Sequence, residues 1–506
     1  MKRGTIPLCE IEIWLDRQDF EYDLYTLVRA FYPGSRVTAH CVPSMPKEAK
    51  SPQKEQVFLQ AWCREAGVYV RYEKEGQEPV CREAAMDVYQ DRRETKSRLK
   101  QLLYQVLHIA TGRTLIWGNL TGIRPVKLAA ALLEESADAA QAQARMEEKY
   151  YLDPSKSSLC VEIALREKEV LRDLDPQEGY SLYVGIPFCP SICMYCSFSS
   201  YPLDKWKKRI GEYVDTLCRE IRIVGRLVQR RKLHTVYIGG GTPTTLEPAQ
   251  MERVLVCLEE CFPMDGLREF TVEAGRPDSI TREKLEVFRR HGVTRISVNP
   301  QTMDQKTLDL IGRRHTVEDT RAAYALVREL GFDNVNMDLI VGLPGEGVPE
   351  IGHTLSQIRK LGPDSLTVHS LAVKRAARLR LFSEEHPEMS FENNSQIMAG
   401  AERQAREMGL VPYYLYRQKN MAGNLENVGY ARPDKICLYN ILMMEEKQTI
   451  LALGAGGSSK FVTKGGRTVT RVENVKDVTH YLERLDEMIE RKKNGMKIWD
   501  EEGTCL

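Results

Sequence analysis

Three cysteines near the middle of the chain, Cys189, Cys193 and Cys196, form a C-x3-C-x2-C array within GIPFCPSICMYCSFSSYP, residues 185–202. A structural zinc site usually takes four ligands, often from two C-x2-C pairs, and the sequence offers no second pair. Three closely spaced thiolates suit a [4Fe–4S] cluster in which one iron lacks a protein ligand. The alternative is three structural thiols in a loop. The spacing favours the cluster, whose open iron would accept a chelating ligand.

Further residues able to bind a ligand follow short apolar runs downstream. The turn GGGTP, residues 239–243, comes directly after the run TVYI, and its glycines allow a close approach of the backbone to a ligand. Guanidinium groups suit carboxylates, and acidic side chains suit ribose hydroxyls. The other candidates are Glu273, Gln301, Arg313 in IGRRHT, Asp338, His369 and Ser370. Taken alone, a glycine turn is often only a tight bend, and a charged side chain is more often part of a surface ion pair than a ligand contact. The prediction of a binding site therefore depends on the location that these residues share.

These candidates fall at the ends of strands in a repeated β/α pattern from Tyr180 to about Phe382. Six short apolar runs alternate with amphipathic helical segments such as TREKLEVFRRHG and TVEDTRAAYALVRELG. Strands joined through helices run parallel, and in barrels of such units functional residues collect at the carboxyl ends of the strands. The six predicted strands are SLYVGI, TVYIGG, EFTVEA, RISVNP, VNMDLIVG and SLTVHSL.

The flanking regions lack this alternation. The N-terminal part mixes β-like runs (LCEIEIWL, QVFLQAW, GVYVRYE) with helical stretches, notably RLKQLLYQVLHIATG at 98–112, and predicts a small α+β domain. A helix ending near Pro176 and Gly179 marks a junction. The C-terminal part predicts a mainly helical extension with a Gly-rich turn at LALGAGGSSK and a final helix from Val478 to Lys493. The predicted domains are residues 1–175, 176–385 and 386–506.

Composition excludes several classes of protein. A chain of 506 residues that is 42% hydrophobic and 28% charged is typical of a globular protein with two or three domains. The net charge of +1 gives no global reason to expect nucleic acid or an anionic membrane as a partner. The 13 cysteines are too scattered for a disulfide scaffold, and most, including Cys218 and Cys257, are interpreted as small buried hydrophobic residues. The absence of a signal peptide and of a membrane-spanning run predicts a cytoplasmic protein.

Five stretches carry a resemblance to a known family: YVGIPFCPSICMYCSF, GGGTPT, VEAGRPDSIT, LIGRRHT and VNMDLIVGLPGE. Together they closely resemble radical S-adenosylmethionine (SAM) proteins of the oxygen-independent coproporphyrinogen III oxidase type, in detail over about residues 180–385. The segment NLTGIRPVKL, residues 119–128, is similar to the HemZ-type coproporphyrinogen dehydrogenase branch. The implied fold is α/β, a partial (β/α)6 radical SAM barrel with an α+β N-terminal domain and a mainly helical, coproporphyrinogen-oxidase-like C-terminal domain.

The resemblance also implies a role for each candidate residue. Cys189, Cys193 and Cys196 would hold a [4Fe–4S] cluster, and the amino and carboxylate groups of SAM would chelate its open iron. The residues implied to line the methionine side are Gly240, Gly241 and Thr242. The implied partners of the amino and carboxylate groups are Glu273 and Arg313, and those of the ribose region are Gln301 and Asp338. Further implied cofactor contacts are Tyr183, which is also the predicted catalytic residue, Tyr195 and Ser370.

The implied reaction is an oxidoreductase step of anaerobic haem biosynthesis. A low-potential cluster passes one electron into SAM, and the resulting 5′-deoxyadenosyl radical takes a hydrogen from a propionate of coproporphyrinogen III. Loss of carbon dioxide and one electron leaves a vinyl group, and two such rounds give protoporphyrinogen IX. The implied partners are this tetrapyrrole and a low-potential electron donor such as flavodoxin or ferredoxin. The run VKRAARLRLF offers Lys374, Arg375, Arg378 and Arg380 to the propionates, unless it is a solvated basic helix face.

Two positions depart from the best-understood decarboxylating members. Tyr183-Val184-Gly185 stands in place of Tyr-x-His, and Phe198 replaces a further cysteine, although the HemZ-type branch shares both changes. One rival interpretation is a haem-binding chaperone, whose members carry a His-Asn pair followed by Tyr-Trp that the nearest segment, CLYNILMM, lacks. Another rival is a different radical reaction on a tetrapyrrole. Both departures bear on the decarboxylation and leave the predicted cofactor binding untouched.

Overall fold

The chain divides into two units, Met1–Glu162 and Ile163–Leu506, in a computed structural model. The structure describes residues 9–43, 55–64, 66–122, 124–174, 179–197, 200–228, 231–372, 393–418, 421–463 and 468–503. The division between the units falls before the junction predicted at residues 175 and 176. The second predicted boundary, at residues 385 and 386, lies outside the described residues.

The described residues of the first unit form a five-stranded sheet and four helices, which confirms its predicted α+β character. Its strands are β1 (Glu10–Leu15), β2 (Arg36–Cys41), β3 (Gln56–Arg64), β4 (Gly67–Lys74) and β5 (Val80–Ala85). Its helices are α1 (Gln18–Phe31), α2 (Arg92–Thr111), α3 (Pro125–Glu135) and α4 (Ala139–Tyr150). A further helix, α5 (Pro154–Val170), contains the division between the two units. The sheet order is β2-β1-β3-β4-β5, and its apolar face forms a hydrophobic core with α1 and α2.

The second unit holds the remaining strands. They are β6 (Gly179–Ile186), β7 (Phe188–Cys189), β8 (Tyr201–Pro202), β9 (Lys232–Gly240), β10 (Glu269–Glu273), β11 (Arg295–Ser297), β12 (Val335–Val341), β13 (Ser365–Ser370), β14 (Val411–Tyr416), β15 (Asn427–Ala431), β16 (Thr449–Leu453), β17 (Ser458–Thr463) and β18 (Thr468–Glu473). β6, β9, β10, β11, β12 and β13 are neighbours in chain order, and every pair among them is parallel. The predicted six-stranded parallel core is therefore confirmed, and its carboxyl ends lie along one edge.

Helices connect and cover these strands. They are α6 (Leu203–Trp206), α7 (Ile210–Leu227), α8 (Pro248–Cys261), α9 (Arg282–Arg290), α10 (Gln305–Leu310), α11 (Val317–Glu329), α12 (Val348–Leu361), α13 (Ser395–Glu407), α14 (Leu438–Glu445), α15 (Val478–Glu483) and α16 (Leu485–Gly503). Thr281 caps α9, and Thr316 caps α11 in a capping box with Asp319, so both predicted helices begin where a threonine accepts from the first turn. No described helix combines the length and apolar character needed to cross a membrane.

The C-terminal part adds strands beside both outermost strands of the parallel core, β6 and β13. β16 lies parallel beside β6 and is followed by antiparallel β17 and β18, whereas β15 and β14 continue antiparallel beyond β13. Eleven of the described strands of this unit thus form one sheet, and β7 and β8 form a separate pair. Helices supply more residues than strands in this part, as expected, but the sequence pattern did not predict that its strands join the sheet. The predicted final helix is two helices, α15 and α16, interrupted at Arg484.

Candidate active site at the carboxyl edge of the parallel strands

The cysteine array forms the loop that follows β6. Cys189 is the last residue of β7, and the main-chain N–H of Cys196 donates to the carbonyl of Cys193 at 3.1 Å. The N–H of Met194 donates to the carbonyl of Ile311 at 2.9 Å. These bonds fold the loop into a tight turn and tie it to the segment that follows α10.

The glycine turn after β9 contacts this loop directly. The N–H of Thr242 donates to the carbonyl of Phe188 at 2.7 Å, and its hydroxyl donates to the Cys189 sulfur at 3.5 Å. A Cβ at Gly241 would lie 2.6 Å from the Phe188 carbonyl oxygen and 3.0 Å from the same sulfur. Gly240 has a φ of 111°. Only glycine fits at Gly241 without displacing the cysteine loop. The close approach found here is to that loop, and the predicted approach to a ligand stays a prediction.

Glu273, the last residue of β10, is enclosed by aromatic side chains. The Tyr237 hydroxyl donates to its carboxylate. The rings of Tyr183, Tyr237 and Tyr439 form a three-membered cluster, with centroid separations of 6.3 Å (Tyr183–Tyr237), 4.5 Å (Tyr237–Tyr439) and 6.5 Å (Tyr183–Tyr439). Burial raises the pKa of Glu273 to about 7, while the hydrogen bonds from Tyr237 and the main chain of Gly240 oppose the rise. The carboxyl group therefore changes charge near neutral pH.

Gln301 follows the strand β11, and Arg313 follows the next helix, α10. The Arg313 guanidinium donates to the carbonyls of Gly275 at 2.9 Å and Pro300 at 3.2 Å, and its Nε has no hydrogen-bond partner among the described residues. Gln301 has a φ of 67°, in the left-handed region, and its N–H donates to the carbonyl of Asp338 at 2.9 Å. Its buried Oε1 also has no partner within the described part of the chain. Both side chains thus keep a polar atom available to a ligand.

Asp338 and Ser370 have different surroundings. Burial opposes ionisation of Asp338, but His369 at 3.7 Å and the Asn336 amide at 2.7 Å outweigh it and lower the pKa of this carboxyl. The Ser370 hydroxyl donates to the carbonyl of Glu426 at 2.6 Å. Asp338 is therefore held as an anion, while Ser370 bonds to the segment that leads into β15.

The remaining predicted site residues divide into two groups. Tyr195 packs against a small apolar cluster that includes Ile311 and Leu343, and Tyr183 belongs to the aromatic cluster beside Glu273. The basic run and one of the two departures from the family pattern lie outside the described residues: Lys374, Arg375, Arg378, Arg380 and Phe198. The structure thus brings the predicted cofactor residues to one edge of the sheet and does not test the predicted substrate contacts.

Sequence reasoning missed three residues of this site. Arg276, only 3% exposed, donates to the Cys193 sulfur at 3.6 Å, and its position three residues after Glu273 was the available signal. Tyr237 precedes the glycine turn on the same strand face as Gly239, since alternate residues share a face. Tyr439 comes from α14, and no local pattern in the sequence indicates its position.

The two arginines determine the electrostatics of the cysteine loop. Burial disfavours the thiolate of Cys193, but the guanidinium groups of Arg313 and Arg276 outweigh it and lower the pKa of this thiol. Burial raises the pKa of Cys189 to about 11, against the hydrogen bond from Thr242. Positive charge therefore favours the metal-binding form at Cys193, the most enclosed of the three sulfurs.

A parallel core whose carboxyl edge carries a C-x3-C-x2-C loop is the arrangement found in radical SAM proteins. The family model described as the radical SAM superfamily matches residues 183–358. A solved structure of coproporphyrinogen III oxidase (HemN) from Escherichia coli, titled a radical SAM enzyme, superimposes with a TM-score of 0.50 at 24% identity. The superposition covers 64% of this chain and 73% of that one. The fold and the family model thus define the class.

Sequence similarity narrows the class to a family. The oxygen-independent coproporphyrinogen-III oxidase-like protein HemZ of Bacillus subtilis is 42% identical over 404 residues, 79% of this chain and 81% of its own length. The heme chaperone HemW of the same organism is 30% identical over 314 residues, 61% of this chain and 76% of its own. The chain belongs to the HemZ-type, coproporphyrinogen oxidase-like family of radical SAM proteins.

Membership of this superfamily implies a [4Fe–4S] cluster and SAM, and the residues present fit both groups. Thr242 and Arg276 donate to cysteine sulfurs, as is common around protein-bound clusters, and glycine at position 241 lets the turn pack directly against the Cys189 sulfur. The unpartnered Oε1 of Gln301 and Nε of Arg313 are polar atoms that a polar ligand would satisfy. No group of ligands for a single ion was found in the described ranges. In a four-iron cluster each thiolate binds a different iron, so its sulfurs need not converge on one point.

Proposed function

We propose that this protein oxidatively decarboxylates propionate side chains of coproporphyrinogen III to vinyl groups, giving protoporphyrinogen IX. The observation that carries the proposal is the arrangement at one sheet edge of the cysteine loop, Glu273, Gln301, Arg313 and Asp338. The 42% identity to a coproporphyrinogen-III oxidase-like protein supports the choice of substrate.

In this proposal the cysteine loop holds the cluster and the adjoining residues bind SAM. The proposed cluster ligands are Cys189, Cys193 and Cys196. The proposed SAM contacts are Tyr183, Tyr195, Gly240, Gly241, Thr242, Glu273, Gln301, Arg313, Asp338 and Ser370. The proposed substrate contacts are Lys374, Arg375 and Arg378. When bound, the two cofactors would supply the radical that removes hydrogen from an unactivated carbon, which no protein base is strong enough to do.

The chain's own part is to place and neutralise the charged groups of the cofactor. Glu273, held by Tyr237, is the proposed acceptor for an ammonium group, and the Arg313 Nε, a buried donor without a partner among the described residues, is the proposed donor for a carboxylate. The rings of Tyr183, Tyr237 and Tyr439 pack together beside Glu273, and they leave the Glu273 carboxylate only partly exposed. Partial burial of this kind strengthens an electrostatic contact with a ligand relative to open solvent.

Haem transfer is a second candidate, because the HemW chaperone is 30% identical over 61% of this chain. The segment CLYNILMM, where the chaperone pattern is expected, contains no histidine. Its Cys437 donates to the carboxylate of Glu269 at 3.3 Å, and its Tyr439 lies in the aromatic stack. Both side chains thus make contacts within the protein interior. At Gly185 a Cβ would have its nearest neighbours at 3.4 Å, an ordinary contact distance, so the backbone there does not itself require glycine.

Product analysis separates the candidates. The chain is reconstituted anaerobically with iron and sulfide and then incubated with SAM, a low-potential reductant and coproporphyrinogen III. Decarboxylation predicts 5′-deoxyadenosine, carbon dioxide and a vinyl product by mass spectrometry. Stoichiometric retention of added haem without turnover would support the chaperone, and a mass change of another size would support a different radical reaction.

A matched pair of cysteine variants tests the cluster. Cys193→Ala should lose the site-differentiated cluster and all 5′-deoxyadenosine formation, because one of three ligands is removed. Cys218→Ala removes a buried thiol of α7 outside the site and should retain both. A normal cluster in the Cys193 variant would overturn the proposal together with its cofactor site.

A further inference from the structure

Arg276 places a buried positive charge against the cysteine loop. It follows β10, its side chain is 3% exposed, and its Nη1 donates to the Cys193 sulfur at 3.6 Å and to the Ser191 hydroxyl at 3.1 Å. A buried guanidinium is costly unless each of its polar groups is satisfied. Arg276 is therefore held in a specific buried position and is not a solvated surface side chain.

The orientation of this guanidinium is determined by Asp278. Arg276 Nε donates to Oδ1 at 2.9 Å and Nη2 donates to Oδ2 at 2.8 Å, which is the two-pronged geometry of an arginine–carboxylate pair. This pairing uses one side of the planar group and leaves Nη1 directed at Cys193. The Asp278 side chain is 23% exposed and carries the compensating negative charge on the far side of the guanidinium from the sulfur.

We propose that Arg276 is a positioning residue that raises the reduction potential of the cluster by donating to the Cys193 thiolate, and that Asp278 moderates this effect. Reduction adds an electron to the cluster, so a nearby positive charge and a hydrogen bond to sulfur stabilise the reduced form more than the oxidised form. The inference rests on the proposed ligand role of Cys193 and does not depend on which tetrapyrrole is the substrate. The consequence is a cluster that a flavodoxin- or ferredoxin-class donor reduces more readily.

Opposite shifts in two variants test this assignment. Arg276→Gln keeps a polar side chain but removes the charge, and we expect it to lower the equilibrium constant for cluster reduction about tenfold, equivalent to about 59 mV for a one-electron couple. Asp278→Asn leaves Arg276 in place with its charge uncompensated, and we expect it to raise the potential. The midpoint potentials are measured on the anaerobically reconstituted full chain, without substrate, by following the paramagnetic signal of the reduced cluster during a redox titration.

Controls separate tuning of the potential from a structural role. Arg282→Gln removes an exposed arginine that pairs with Glu329 on the surface, and its potential should equal that of the parent chain. Iron and sulfide contents are determined for every variant. If Arg276→Gln takes up no cluster, Asp278→Asn and Arg276→Lys still decide the matter. Asp278→Asn should raise the potential, and Arg276→Lys, which keeps the charge but loses the two-pronged pairing, should lower it by less than about 59 mV.

Unchanged potentials, or shifts of Arg276→Gln and Asp278→Asn in the same direction, would overturn the inference. A parent chain that binds no cluster would overturn it together with the cofactor assignment. A parent chain that binds a cluster but forms no vinyl product would overturn only the proposed decarboxylation. Because the potential is read without substrate, the two failures are distinguishable.

Discussion

At the scale of single residues, the surroundings of Glu273 determine whether its carboxyl group is protonated near neutral pH. Burial favours its neutral form, whereas the Tyr237 hydroxyl and the Gly240 N–H favour the carboxylate, and the pKa of about 7 is the balance. An ammonium group of a bound ligand prefers the carboxylate. Affinity for SAM should therefore rise as the pH increases through about 7.

Tyr237→Phe tests this balance. Loss of the hydroxyl removes a hydrogen bond that lowers the pKa of Glu273, so the pKa should rise above its present value and less carboxylate should be present at neutral pH. We expect SAM affinity at neutral pH to fall about fivefold, the value of one hydrogen bond of about 1 kcal/mol. Anaerobic calorimetric titration from about pH 6 to about pH 9 should show the loss shrinking at the alkaline end, where the carboxyl ionises in both proteins.

Tyr324→Phe is the matched control for this prediction. The Tyr324 hydroxyl donates to the carbonyl of Gly362 at 2.8 Å, on the outer helix α11 and away from the site. Its SAM affinity should equal that of the parent chain. An unchanged pH profile in Tyr237→Phe would remove Glu273 from the proposed SAM contacts.

Some residues of this site could be predicted from the sequence and others could not, because only some of them carry a local sequence signal. The cysteines could be recognised from their ligand-like spacing, and Glu273 and Asp338 from their positions in predicted strands. Both features are local in the sequence. Arg276 was missed since an arginine after a strand is usually solvated, and its burial depends on Asp278 and the cysteine loop together. Tyr439 was missed because its ring reaches the site from an element far along the chain.

At the scale of elements, β6 joins the site to the C-terminal part of the chain. The alternation of strand and helix predicted β6 and its partner β9, since neighbours in such units are also close in sequence. Its other neighbour, β16, lies far along the chain, and no local pattern records that pairing. The turn after β16 touches the end of β6, because a Cβ at Gly454 would lie 2.4 Å from the Gly185 carbonyl oxygen.

A buried ion pair between α7 and α16 also contacts the turn after β16 and holds it in place. Glu220 of α7 accepts from Lys492 of α16 at 2.8 Å, from the Tyr481 hydroxyl at 2.6 Å and from the N–H of Gly454 at 2.8 Å. Asn474 donates to the same carboxylate at 2.9 Å. Glu220 and Lys492 have fully buried side chains, so each charge depends on the other.

Lys492→Met should be strongly destabilising. The change removes the only full positive charge that contacts Glu220 among the described residues and leaves a buried carboxylate, which typically costs about 3–5 kcal/mol of unfolding free energy. The denaturant midpoint, followed by circular dichroism, measures the loss.

An exposed ion pair between the same two helices is the control. Arg219 of α7 and Asp486 of α16 lie 2.6 Å apart, with side chains that are 58% and 79% exposed. Arg219→Ala should cost less than about 1 kcal/mol, because solvent screens the pair. Equal midpoints for Lys492→Met and Arg219→Ala would show that the buried network contributes no more than the exposed one.

At the scale of the whole molecule, the described site residues belong to the second unit, whereas the first unit has its own core. That core includes Phe20, Leu27, Val57, Val70 and Leu103. The strand β16 and the helix α16, in contrast, are part of the unit that carries the site. Truncations at the two ends of the chain should therefore have different consequences.

We expect residues 153–506, which retain α5 entire, to take up a cluster and form 5′-deoxyadenosine, and residues 1–445 to do neither. The first truncation leaves every strand of the eleven-stranded sheet in place. The second removes β16 and exposes the backbone groups of β6, and it also leaves Glu220 buried without Lys492. Soluble yield, iron content and 5′-deoxyadenosine formation measure the outcome for both. Cluster uptake by residues 1–445 would mean that the cysteine loop forms without β16, and its loss from residues 153–506 would contradict the expectation that the second unit suffices for it.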